Sequence, residues 1–400
     1  MLTSLDCSSM FRRVVGLRGL GLAAVMAASA GLVGGCSSAG PAKPGGVAAS
    51  PEDRAKATPI DLEQYGKLGY RLEWRGFPRV QAGEHVERME PLGDAVVAQD
   101  SAGVVTVLEA RTGGIRWSDQ PAGRLTKFVG MLRSDPMLLV CSESEVFFYD
   151  SATGTLKNKQ HIAQVVNTKP VRSGDMLVFG CTNGQIIGHL LINGFRAWGS
   201  GLTGSIETPP AMTSNGNVAL VSTTGELAIV DPQSGLSQGR AKMFDGPGAP
   251  LGVSETALYV ASEDHSLYAF SSETAAAIWR KRTDAPLRRK PVFWAGKVYC
   301  DMGTGEVAGG GGGLTCYDAV TGKMVWSNPK VQGEVLALRN KRLLVWDGQA
   351  STATTLQLDD GATVETVKLS GVSILKPDAF DNGNLYAVTT TGLAMRLSPK

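Results

Sequence analysis

The sequence predicts an all-β chain folded as an eight-bladed β-propeller of four-stranded antiparallel blades, the last blade being closed by an N-terminal strand. Three observations predict it. Glycine supplies 50 of the 400 residues with no collagen-like triplet period, which points to many turns. A short pattern, Thr-Gly or a substitute followed four residues later by Trp, recurs at Gly113, Gly154, Gly194, Gly235, Ala275, Gly322 and Gly361, at intervals of 41, 40, 41, 40, 47 and 39 residues. Between these anchors apolar and polar residues alternate with period two, which excludes helical repeat arrays. A period of about 40 to 45 residues with β character is that of a propeller, in which each repeat is one blade that buries its faces against its neighbours.

One repeat shows the elements in order. Residues 250–253 form an innermost strand, 257–261 the second, Glu263-Asp264 a turn, 267–270 the third strand, and 277–279 the outer strand after a further turn at 272–274. Three other repeats open on Pro170, Pro210 and Pro291, and proline suits a strand start because its missing N–H is not needed there. The glycine of Thr-Gly supplies the backbone angles of the third-to-fourth turn. Trp117, Trp198, Trp279 and Trp326 lie four residues past their anchors, where a large ring on the outer strand packs between blades. Blades two, four and seven carry Asn158, Gly239 and Glu365 there, so weaker docking is expected of them.

The count closes at eight through an exchange of termini. After Gly361 one more repeat begins, with an inner strand and turn expected at 373–382 and further strands at 385–389 and 393–397, and the chain then ends. Its missing outer strand is Tyr70-Arg71-Leu72-Glu73-Trp74, with Trp74 placed as an outer-strand tryptophan should be. Pairing the two closes the ring and removes an exposed edge. Seven blades with loose ends would leave both β-rich segments unexplained.

The N-terminus carries a different signal. Arg12, Arg13 and Arg18 precede an apolar run over residues 20–33 that ends in Val33-Gly34-Gly35-Cys36, which resembles a bacterial lipobox. Fourteen residues fall short of the ~20 that a spanning helix needs. Residues 1–35 are therefore expected to be a lipoprotein signal peptide and Cys36 the acylated, palmitate-bearing first residue of the mature chain. Arg12-Arg13 leaves the twin-arginine route open beside general export. Residues 36–68, rich in Ser, Ala, Gly, Pro and charge, are expected to be a flexible tether, and residues 69–400 the propeller. Ser37 follows the cysteine where an inner-membrane retention aspartate would stand, so the expected location is the periplasmic face of the outer membrane. The net charge of +2 falls close to zero without residues 1–35, which gives no global field for nucleic acid.

Catalytic chemistry is not legible. His85, His161, His189 and His265 occupy unrelated repeat positions, suggest no metal site, and read as surface or loop residues. The run 309–313 lacks the Lys-Ser/Thr of a phosphate loop, and no nucleophile elbow is present. Matching Tyr299 with Tyr259 and Tyr317 with Tyr268 sets Cys300 opposite Cys316 across a hairpin, which predicts a disulfide in an oxidising compartment. Cys141 and Cys181 read as separate core residues. The longest insertion, at 301–314, and the densest basic run, at 280–290, should meet on one face of the disc. Leu287, Arg288 and Arg289 are therefore the expected centre of a partner-binding site, with arginines suited to carboxylates.

The stretch Asp318-Ala319-Val320-Thr321-Gly322-Lys323-Met324-Val325-Trp326 resembles the PQQ-like propeller repeat, and weaker copies fill residues 70–400. With the lipobox, tether and closing strand, the chain resembles the BamB-type lipoproteins of the outer-membrane β-barrel assembly machinery. That resemblance implies a monomeric, cofactor-free, non-enzymatic scaffold that binds the periplasmic domains of a barrel-assembly protein. The chain departs from the family pattern at Gly204-Ser205-Ile206-Glu207-Thr208, which lacks the Leu-Arg pair of the partner-binding loop; Leu287-Arg288 offers one elsewhere. The alternative is a PQQ- or glycan-binding propeller, including a quinoprotein oxidoreductase, although no Cys-Cys pair occurs.

Overall fold

Eight four-stranded antiparallel sheets make up the body of the computed structural model, which describes residues 50–303 and 312–400. Cys36, the signal segment and residues 304–311 of the glycine-rich loop lie outside the described residues. Blades one to seven occupy residues 86–119, 128–161, 171–201, 211–242, 252–282, 292–328 and 334–368. Blade eight combines three strands within 372–399 with Tyr70–Gly76 as its outer strand. Second strands such as Ala95–Asp100 and Ala257–Ser262 are buried at every position. Both of their faces are covered by neighbouring blades, so they read as continuous apolar runs instead of alternating ones.

Every third-to-fourth turn takes the same left-handed form. Gly113, Gly154, Gly194, Gly235, Gly322 and Gly361 have φ between 65° and 74°, and Ala275 adopts 60° at the equivalent place in blade five. A β-bulge follows in each outer strand, skipping Arg116 in blade one and its counterpart in each blade through Val364 in blade seven. The N-terminal strand repeats the device, its register slipping between Leu72 and Trp74. A bulge re-aims the residue after it. That residue is the tryptophan.

The five indoles close their seams in one way. Trp74, Trp117, Trp198, Trp279 and Trp326 donate N–H to the carbonyls of Ala110, Ser151, Pro232, Ala319 and Leu358 in the next blade, at 2.9 to 3.1 Å. Each ring lies on the turn glycine of that blade. A Cβ at Gly113, Gly154, Gly235, Gly322 or Gly361 would fall 2.3 to 2.7 Å from the ring. The anchor glycine is thus required twice, for its backbone angle and for the neighbour's indole.

The three seams without an indole are filled by other means. Gln160 donates its amide to Leu191 O at 2.7 Å, the carbonyl that a tryptophan would take, and its oxygen meets His189 Nε2 at 2.9 Å. His189 is buried at 1% exposure, so it is a core residue and not the surface or loop histidine expected. At blade four, Gly239 lets the backbone of Thr274 approach so closely that a Cβ would lie 2.4 Å from it. At blade seven the gap is covered by helix Leu62–Lys67, whose Tyr65 is buried beside Val367 and Leu369.

That helix and its predecessor Pro51–Ala57 correct the tether expectation for residues 51–68. Ser50 Oγ caps the first helix by accepting from Asp53 N, and Asp61 caps the second by accepting from Glu63 and Gln64 N–H. Ala55, Tyr65 and Leu68 join the core of blades seven and eight. The ring joint itself is held by Arg339 of blade seven. Its guanidinium donates to Gly69 O and Lys400 O, which meet at one end of the junction, and lies 5.5 Å from the Tyr70 ring centroid. Arg339→Ala is expected to cost about 2 kcal/mol by removing two charged hydrogen bonds and the contact with the Tyr70 ring, although Gly69 O keeps its bond from Lys400 N at 2.9 Å, and Arg339→Lys to recover only part of it. Chemical denaturation of the three proteins checks both.

The expected Cys300–Cys316 disulfide is not formed, and both residues are buried free thiols, as are Cys141 and Cys181. In blade six Tyr299 pairs with Cys316 and Cys300 with Thr315, so the thiols sit on opposite faces of the sheet. The model hairpin in blade five explains the slip. Its loop is Glu263-Asp264-His265, with His265 at φ 66°, so Val260 faces Tyr268 and not Leu267. Cys300 packs with Leu267 and Val298 between blades five and six, and Cys316 with Trp326 and Val335 between six and seven. Burial pushes the Cys316 thiol up to about 12.

Candidate partner-docking face

Second-to-third turns and the connections from each outer strand to the next inner strand emerge together on one face of the disc. The connection entering blade six runs there beside the base of the glycine-rich loop: Thr283 Oγ1 donates to Met302 O at 2.8 Å. Asp301 fixes that base by accepting from Gly303 N at 2.9 Å and from Gly333 N at 2.8 Å. Its burial holds the carboxyl above its ordinary range. The basic connection and the base of the long insertion therefore meet at one place.

The three residues expected to form the site separate. Leu287 is 1% exposed, its N–H bonded to Ser262 O at 3.2 Å, and it packs with Leu267 and Cys300. It is a wedge between blades five and six and offers no contact to a partner, which corrects that assignment. Arg288 is exposed and makes a forked pair with Glu263, Nε at 3.1 Å and Nη2 at 3.2 Å. Arg289 turns toward Asp347 of blade seven, at 3.6 Å. The two arginines thus diverge and do not form one patch.

Next to Arg288 the structure places a cluster that the sequence reading missed. Phe244, in the connection from blade four to blade five, is 82% exposed. The guanidinium of Arg280 is 5.0 Å from the ring centroids of both Phe244 and Tyr268, a position for cation–π contact on two sides. Arg280 is fixed there by Ser266 Oγ at 2.9 Å and Asp264 at 3.5 Å. Tyr268 donates its hydroxyl to Asp264, and burial followed by that bond moves the phenol up to about 12. The other oxygen of Asp264 is buried with no hydrogen-bond partner among the described residues. Glu263 N bonds Gly246 O at 2.9 Å, which ties the Arg288 pair to the Phe244 loop.

A signal for Phe244 was present in the repeat. Leu202, Met243 and Thr283 bond equivalently to Gly184, Gly225 and His265 carbonyls, so Phe244 corresponds to Thr203 and Asp284. An exposed aromatic stands where Thr203 and Asp284 are polar and Ala163, placed by the Ile162 N to Ser144 O bond, is small. Such a ring held flat by a guanidinium, with paired charges around it, fits a protein surface better than a small molecule. Among the described residues no group of three or more His, Cys, Asp or Glu is arranged to hold a metal ion.

Comparison with known proteins agrees with this architecture. Residues 61–200 and 223–398 match the family described as outer membrane protein assembly factor BamB. The crystal structure of BamB from Moraxella catarrhalis superposes with a TM-score of 0.63 at 17% identity, covering 80% of this chain and 97% of that one. The computationally designed Ika8 protein superposes with a TM-score of 0.64 at 14% identity, covering 81% and 100%. At these identities the likeness is one of fold. No curated protein matches by sequence.

Proposed function

The chain belongs to the BamB family of outer membrane protein assembly factors, and on that premise we propose that it is a lipid-anchored periplasmic scaffold, without catalytic activity, that docks a protein component of the barrel-assembly apparatus. The family match over most of the propeller carries this reading. The geometry supports a docking role through the exposed Phe244 ring on Arg280, with the Glu263–Arg288 pair beside it. Phe244 is the apolar anchor and Arg280 presents it, while Arg288 and Glu263 form an ionic rim that tunes association more than affinity. The lipobox at Cys36 supports attachment to the periplasmic face of the outer membrane through its acyl chains.

Chemical crosslinking in intact cells, followed by identification of the captured proteins, tests the docking face. Wild-type chain is expected to capture a barrel-assembly component, and Phe244→Ser with Arg280→Ala to lose at least tenfold of it while melting as the wild type does. Undiminished capture would remove this face from the reading. Fractionation of Cys36→Ala reads the anchor separately: a folded protein released from the membrane is expected, and retention after a salt wash would contradict lipid attachment.

A further inference from the structure

The seam between blades seven and eight keeps a cavity where other seams hold a ring. Glu365 stands in the outer strand of blade seven where five other blades carry tryptophan, and it pairs with Thr355 as Trp326 does with Cys316 and Trp117 with Val107. Gly69, at φ 84°, precedes the outer strand of blade eight as the anchor glycines do in theirs, and Arg339 Nη1 lies 3.6 Å from where its Cβ would be. A guanidinium thus takes the place over the glycine that an indole takes elsewhere, and it fills less space. Between Lys67, Tyr70, Arg339, Arg342, Leu344 and Thr355 there remains a cavity of about 210 Å³, room for about seven waters at ~30 Å³ each.

The wall of this cavity is unfinished in two respects. Tyr70 is 2% and Thr355 5% exposed, yet neither hydroxyl has a hydrogen-bond partner among the described residues. Folds rarely leave buried polar atoms so. Val107, Ala269 and Cys316 at the position of Thr355 show that the repeat does not call for a hydroxyl there. The second respect is charge. Asn340 and Lys341 take φ 47° and 59°, a two-residue turn that sets Arg339 directly opposite Arg342. Like charges opposed across a hairpin repel each other. Arg339 is engaged by Gly69 O and Lys400 O. Lys67 is answered by Glu63 at 3.1 Å and at longer range by Glu365, which leaves Arg342, exposed and without an ion pair among the described residues, as the cation lacking a counterion.

We propose that this cavity binds a small molecule through a phosphate group, with Arg342 as the charge partner and the unpaired hydroxyls of Thr355 and Tyr70 in the wall of the site. Water alone can pair hydroxyls but cannot offset two opposed guanidinium groups. A phosphate does both, since its oxygens accept in several directions at once and suit an arginine fork. The cavity is smaller than the ~300 to 1,000 Å³ of pockets for larger ligands, which limits the occupant to a phosphate on a short carbon chain. Tyr70 belongs to the N-terminal closing strand, while Arg342 and Thr355 belong to the second and third strands of blade seven. A bound phosphate therefore ties the closing strand to its neighbour, and closure of the ring becomes linked to the ligand.

Titration calorimetry and thermal melting of the full chain with glycerol 3-phosphate and with inorganic phosphate, at fixed ionic strength in chloride, test the proposal. One saturable site per chain is expected, with a melting temperature that rises with the logarithm of ligand concentration past saturation. Arg342→Ala should bind at least tenfold more weakly, as should Thr355→Val, which removes the hydroxyl at nearly constant shape. Arg342→Glu separates a site from a structural role by its sign. It sets opposite charges across the hairpin, so without phosphate it should melt above the wild type, and it should lose the phosphate response. Phe244→Ser, on the other face of the disc, should bind as the wild type does, so failure here and failure of the docking reading are separable. Arg342-dependent binding to phosphatidylglycerol vesicles, without a response to the two soluble probes, would retain the phosphate site and make a lipid headgroup its source. Equal binding by the wild type and Arg342→Glu, or no response to any of the three probes, would overturn the proposal.

Discussion

Trp117→Ala is expected to destabilise the propeller by ~3 to 5 kcal/mol, the usual cost of truncating a large buried aromatic side chain. Trp117 is 8% exposed, stacks on Tyr149 with centroids 5.1 Å apart, and bonds Ser151 O at 3.1 Å. Its removal leaves a cavity between blades one and two and takes one of two donors from Ser151 O, which keeps Arg116 Nη1 at 3.3 Å. Trp117→Phe should lose less, because the ring still covers Gly154 and only the N–H bond is gone. Gly154→Val should match the alanine variant from the other side of the seam, since its φ of 71° disfavours a branched residue and its Cβ would meet the indole at 2.5 Å. Chemical denaturation decides the matter. Equal stability of Trp117→Ala and wild type would mean that the indole is not a seam element.

Acid is expected to weaken the blade two to three seam. Burial, with a smaller contribution from His161, lowers His189 from 6.5 to about 4. The unfolded chain therefore binds a proton on this histidine at higher pH than the folded chain does. Stability is fully retained above about pH 6.5, falls as pH drops from there toward 4, and loses no more from this group below it. The shift corresponds to about 3 kcal/mol across that window. Blades two and six carry Tyr149 and Tyr317 at the same repeat position, paired in register beside the bulge as His189 is. His189→Tyr should therefore fold and flatten this part of the pH profile. Denaturation at pH 7.5 and 4.5 should show a smaller loss in the variant, and parallel losses would contradict the assignment.

The repeat made the blades, their turns and the terminal exchange legible. Its anchors report a backbone conformation that recurs in each of the first seven blades, and a tryptophan in register has few uses besides packing. The hairpin register of blade six was not legible, because a three-residue loop and a two-residue loop look alike until the left-handed residue is known. His265 in blade five is such a residue, and overlooking it set Cys300 opposite Cys316, whereas Cys316 pairs with Tyr299 and Cys300 with Thr315. Leu287 was misread for a related reason. An apolar residue inside a basic run gives no sign of whether it points outward or, as here, wedges between blades. The helices at 51–68 escaped because Ser, Ala, Gly and Pro dominate the segment as a whole, while Tyr65 and Leu68 alone carry the docking. Phe244 is legible only when the connections between blades are aligned with one another, because nothing in its own neighbourhood marks it.

Titration calorimetry of the purified chain with the recombinant periplasmic domains of the barrel-inserting protein from the same organism tests the central claim most directly. Saturable one-to-one binding, weakened at least tenfold by Phe244→Ser with Arg280→Ala, is the predicted result. No binding to those domains, with PQQ and calcium or a glycan titrating the chain instead, would contradict the account.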